Sequence, residues 1–123
     1  MGTKLRKNLL MVTKTKKTKL DTKLTTLVNA YVSKITLDTN LNIMGVILFG
    51  SVAMGNNRKD SDIDLAIISP KFSKNRHKHL VTLLYNTIGI DSRIEPHPMT
   101  IEDLNNPYYP LASEIKKHGI KIL

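Results

Sequence analysis

Eight residues, NIMGVILF from Asn42 to Phe49, constrain this chain more than any other stretch. They are almost wholly apolar and rich in branched side chains, and Gly50 stops them. A run this short is expected to be a strand buried on both faces, so other layers must cover it on each side. A second such run, DIDLAII from Asp62 to Ile68, ends at Ser69-Pro70. Helical spacing surrounds the pair. Leu20, Leu24, Leu27, Val28, Tyr31 and Ile35 predict an amphipathic helix over about residues 20–36. Leu80, Val81, Leu83, Leu84 and Ile88 predict the buried side of another, over about residues 74–87, with Gly89 ending it. Ile90 to Glu95 alternate as a third strand before Pro96-His97-Pro98. Thr100 and Asp103 have the spacing of a capping box. Leu111 to His118 predicts a last helix closed by a left-handed Gly119, and Ile120 to Leu123 a terminal edge strand. The order helix, strand, turn, strand, helix, strand, helix, strand predicts an α/β (α+β) fold, a small mixed sheet with helices packed on it.

The chain has 123 residues, of which 41% are hydrophobic, enough for one self-sufficient core. With zero cysteines, disulfides and thiolate-bound zinc are excluded. The longest apolar run, Ile43 to Gly50, is too short to span a bilayer, and a cytoplasmic location is the expectation. Net charge is +9, unevenly spread. Residues 1–23 hold eight Lys/Arg against one acid, and residues 24–123 hold eleven against nine. The division expected is therefore a basic N-terminal extension, residues 1–19, followed by one folded domain over residues 20–123. The extension contains TKTKKTK from Thr13 to Lys19 and no aromatic residue, so any nucleic-acid contact would run through its charge rather than through base stacking. Deleting it up to Lys19 is expected to change the melting temperature little, because it holds few apolar residues to bury.

Three features carry chemistry. Gly50-Ser51 follows a buried strand, where a glycine lets the chain turn sharply and a serine adds a hydroxyl donor for phosphate. Asp62 and Asp64 are two apart in a strand, so their carboxylates leave one face about 6.6 Å apart along the chain, while Ile63 and Leu65 face the core. Converging carboxylates repel unless a cation lies between them, and hard divalent ions favour oxygen ligands. Asp91, with Arg93 and Glu95 on the same expected face, offers a third carboxylate if its strand neighbours the Asp62–Asp64 strand. Glu95 competes with Asp91 for that place, and Asp91 is preferred. Three acids of this kind can hold two magnesium ions, which activate a nucleophile and stabilise a leaving phosphate.

Gly50-Ser51, ten intervening residues, then Asp62-x-Asp64 between buried strands resembles the signature of the polymerase beta-like nucleotidyltransferases. The stretch FGSVAMGNNRKDSDIDLAII is similar to the minimal nucleotidyltransferases of prokaryotes, and IDSRIEPHP and EIKKHGIKIL extend the likeness over about residues 42–123. The resemblance implies that Asp62 and Asp64 bind both metals (two Mg2+, with Mn2+ as a substitute), that Asp91 completes the triad, and that Gly50 and Ser51 hold the triphosphate. It also implies transfer of a nucleoside monophosphate, AMP from ATP foremost, to a hydroxyl. Where many relatives carry arginine before the second glycine, this chain has Met54 before Gly55, and Arg58 or Lys59 is the expected compensation. The likeness covers a core without an added acceptor domain, so the acceptor is expected from a partner or a second copy of the chain. Such proteins commonly pair with a small helical HEPN-type toxin, either adenylylating a tyrosine on it or, in a non-catalytic reading, acting as an antitoxin by occlusion.

Overall fold

The computed structural model describes residues 22–55 and 61–123. The basic extension, residues 1–19, and the loop residues Arg58 and Lys59 lie outside the described residues. The chain runs α1 (Thr22–Leu37), β1 (Gly45–Phe49), a one-turn α2 (Gly50–Ala53), β2 (Ile63–Ile68), a 3-10 turn (Pro70–Ser73), α3 (Arg76–Tyr85), β3 (Ile94–Met99), a short α4 (Ile101–Leu104), α5 (Pro110–His118) and β4 (Ile120–Lys121). The four strands form one sheet in the order β3-β2-β1-β4, so β3 and β4 are its edges. β1 pairs antiparallel with β2 and with β4, while β2 and β3 run parallel, which α3 permits as the crossover between them. The mixed sheet expected from the sequence is the one observed.

Alternation divides the sheet into two faces. Ile63, Leu65, Ile67 and Ile94 look toward α1 and α3, forming a core with Val28, Tyr31, Ile35, Phe72 and Leu83. Ala66, Ile68, Met99 and Phe49 look the other way and meet Ala112 and Ile115 of α5. The burial of β2 on both sides follows, and so does the near absence of polar residues after Asp64. Tyr31 fixes how α1 sits on α3: its ring is fully buried and its hydroxyl donates to the Leu83 carbonyl at 2.8 Å. Burial pushes that phenol above its ordinary pKa, so it remains a donor. Tyr31→Phe should cost about 1–2 kcal/mol in chemical denaturation, since it leaves a buried carbonyl without its partner.

Three local expectations are revised. α3 buries only Leu83 fully; Val81, Leu84 and Tyr85 are exposed on its outer side, and Ile88 is exposed in the turn beyond it. Gly119 is not left-handed, its φ and ψ being −70° and 150°. A Cβ there would collide with the Ile115 carbonyl and the Ile47 side chain, so the glycine is required by close approach between α5 and β1. The third strand begins at Ile94 rather than Ile90, with consequences for the site. By contrast, the capping box at α4 is present: Asp103 N–H donates to Thr100 Oγ1 at 3.1 Å, and Thr100 N–H donates to Asp103 Oδ2 at 2.9 Å. Asp103 also pairs with Arg76 at 2.8 Å, tying α4 to the start of α3.

Candidate active site

The C-terminal end of β1 sets the first wall. Phe49 is extended, with φ −144° and ψ −172°, and Gly50 then turns at φ +79° into α2. The register places Phe49 directly opposite Asp64 on β2. A Cβ on Gly50 would lie inside the van der Waals radius of Asp64 Oδ2. Gly50 is therefore required twice, by its left-handed backbone and by the carboxylate that occupies the space of a side chain. Ser51 is the next residue and is exposed at the start of α2.

The other wall is β3. Asp64 pairs with Glu95 in register, and Ala66 pairs with His97. Residues paired in a parallel ladder share a face, so Asp64, Glu95 and His97 all project on the side away from α1 and α3. Ala66, the ladder partner of His97, carries only a methyl group, and the His97 ring meets Asp64. His97 Nε2 lies 3.0 Å from Asp64 Oδ1 and 3.6 Å from Glu95 Oε1. The imidazole edge is held against Phe49, with ring centroids 5.0 Å apart at 60°. Asp62, one step beyond the start of β2, is exposed and within hydrogen-bonding reach of Glu95. Asp62 and Asp64 therefore share a face, and α5 covers only the apolar half of it.

Electrostatics in this corner disfavours a third negative charge. Partial burial raises the Glu95 carboxyl above its ordinary pKa; the Asp64 and Asp62 carboxylates add to this and His97 opposes it. A carboxyl with a raised folded-state pKa contributes stability at low pH that is lost as pH rises through the folded value. Glu95→Gln should therefore raise the melting temperature of the ion-free protein at about pH 7 and leave it almost unchanged near pH 4. A pH series of thermal melts checks this.

Asp91 stands elsewhere. Ile90 and Asp91 both donate their N–H to the Thr87 carbonyl, and Ile94 N–H donates to Asp91, so residues 87–94 turn rather than extend. Asp91 Oδ1 accepts the Arg93 N–H at 2.8 Å, and its carboxylate takes a two-pronged contact from the Arg93 guanidinium, with Nη2 at 2.8 Å from Oδ2. That hydrogen-bonded pair holds the Asp91 carboxyl below its ordinary value. The aspartate forms a turn two residues ahead of itself instead of pointing from the strand. The group of metal-capable side chains found among the described residues is Asp64, Glu95 and His97, with ligand atoms all within 4.8 Å of one another. Glu95, the expected rival, occupies the position beside Asp64 that was expected of Asp91. His97 was assigned no chemistry from its place between two prolines, although its two-residue spacing from Glu95 in a strand was a signal that it shares that face.

Residues 33–123 match the family model described as Polymerase beta, Nucleotidyltransferase. The chain belongs to this nucleotidyltransferase family. Two solved structures share its fold. One is a candidate nucleotidyltransferase from Sulfolobus solfataricus, 15% identical, with 79% of this chain and 77% of that one covered at a TM-score of 0.58. The other is a toxin–antitoxin structure with AMP-PNP, 21% identical, with 76% of this chain and 71% of that one covered at a TM-score of 0.54. Comparison with curated proteins gives no match. As a nucleotidyltransferase domain the chain places its acidic group where β1, α2, β2 and β3 meet. No helix among the described residues is long and apolar enough to cross a membrane.

Proposed function

We propose that this nucleotidyltransferase transfers AMP from ATP to a hydroxyl on a partner protein, in the cytoplasm, the hydroxyl oxygen bonding to the α-phosphorus as pyrophosphate leaves. The observation that supports it most is the Asp64 carboxylate, seated against Gly50 on one side and beside Glu95 on the other. Oxygen donors of this kind fit a hard divalent ion, Mg2+ with Mn2+ as a substitute, and the repulsion among Asp62, Asp64 and Glu95 gives such an ion a reason to be there. Asp62, Asp64 and Glu95 would hold it; bound, it supplies positive charge to the phosphates and acidifies the acceptor hydroxyl. Gly50 and Ser51 receive the triphosphate, with Arg58 or Lys59 in place of the arginine that Met54 replaces. Glu95, half exposed and paired in register with Asp64, is the carboxylate best placed to take the acceptor's proton.

The toxin–antitoxin structure with AMP-PNP supports a toxin as the acceptor, and a small helical HEPN-type protein with a tyrosine hydroxyl is the form we favour. Co-expression of this chain with a small helical HEPN-type protein, followed by intact-mass measurement of that protein, tests the reading. A mass gain of AMP on the partner, absent with Asp64→Asn, is the expected result. Neutralisation of the partner that survives Asp64→Asn with no mass gain would instead make the chain an antitoxin by occlusion.

A further inference from the structure

We propose that His97 is a metal ligand, giving the site one nitrogen beside its carboxylate oxygens and a preference for a borderline transition-metal ion over Mg2+. The inference rests on the reading of the site as metal-dependent and concerns which ion it selects. Two ligand atoms held about 2.1 Å from one ion, at angles between square and tetrahedral, lie about 3.0–3.5 Å apart. The His97 Nε2 separations of 3.0 Å to Asp64 and 3.6 Å to Glu95 bracket that spacing, and all three ligand atoms lie within 4.8 Å of one another, so side-chain rotation alone closes the group on one ion.

The three donors are also held in place. Asp64 cannot swing toward β1, because its second oxygen already fills the space that Gly50 leaves. The His97 ring is braced by Phe49, and its partner across the ladder, Ala66, carries only a methyl group. Imidazole nitrogen is a ligand of choice for zinc and cobalt and a poor one for Mg2+, which demands oxygen and keeps its waters. Carboxylates alone already bind Co2+ and Zn2+ somewhat better than Mg2+, so the signature of His97 is the part of that preference that disappears with it.

Titrating the full-length protein with Co2+ and following its visible absorption measures this directly, with Zn2+ and Mg2+ as competitors. The unmodified protein should bind Co2+ at least about tenfold more tightly than His97→Ala and His97→Gln, while Mg2+ affinity in the presence of AMP-PNP moves less than about threefold. Circular dichroism identifies variants that remain folded. Should both variants misfold, the Co2+ form of the unmodified protein still decides: a paramagnetically shifted imidazole resonance supports ligation and its absence overturns it. Equal Co2+ affinity in unmodified and folded variant protein, with Mg2+-nucleotide binding intact, reduces His97 to a hydrogen-bond donor for Asp64 and leaves the nucleotidyltransferase reading standing. No divalent-ion binding with or without nucleotide overturns both.

Discussion

Asp64→Asn is expected to lower nucleotidyl transfer by a factor of about 10^3 or more while the protein stays folded. Asp64 is the carboxylate at the centre of the group, opposite Phe49 on one side and Glu95 on the other. An amide of the same shape can still meet His97 at Oδ1, so the packing survives, but it brings no negative charge to an ion or to the phosphates. The ion-free variant should melt at the same temperature or slightly higher, because one of the charges that raise the Glu95 pKa is gone. Transfer is read by intact mass of the acceptor and stability by thermal melts with and without Mn2+. A variant that lost activity together with its fold would show that Asp64 is structural.

The second large effect belongs to a residue without a side chain. Gly50→Ala should destabilise the protein by about 1–3 kcal/mol and reduce transfer by about 10^2, the two losses having different origins. The stability loss comes from placing a Cβ at φ +79°, where L-residues are strained. The activity loss comes from the contact with Asp64: either that carboxylate rotates away from Glu95 and His97, or the backbone of α2 shifts under Ser51. Gly55→Ala separates the two. Gly55 has a φ of +77°, yet among the described residues a Cβ there would meet nothing within 4 Å. It should show the strain in denaturant unfolding and none of the loss that follows from displacing Asp64.

Strands buried on both faces leave a strong trace in a sequence, and β1 and β2 were legible for that reason. Their apolar runs cannot be solvated anywhere, and the period of two then places Asp62 and Asp64 together without further information. The region from Gly89 to Ile94 was not legible in the same way. IDSRIE alternates well enough to be a strand, but an aspartate two residues ahead of a free N–H competes for it, and Asp91 closes a turn on Arg93. Moving the strand's start to Ile94 removes Asp91 from the sheet and leaves Glu95 as the first acid on it. α3 was misread for another reason. Apolar side chains at Val81, Leu84 and Ile88 match a core-facing stripe, and composition alone cannot tell such a stripe from one on the outside. Gly119 taught a similar lesson: a glycine after a helix suggests a left-handed cap, whereas here neighbouring atoms leave no room for a larger residue.

Pro96 and Pro98 give β3 a property that no other strand here has. Both lie at the same parity in an edge strand whose ladder to β2 is continuous, so the N–H groups they lack would have pointed outward. The rim beside Glu95 therefore presents carbonyls without the matching donors, and an extended segment from another molecule cannot be zipped onto it as a fifth strand. Self-association by sheet extension is blocked on this side, and the flank stays accessible. Under the proposed transfer, an acceptor would reach the site by a route other than strand addition to β3.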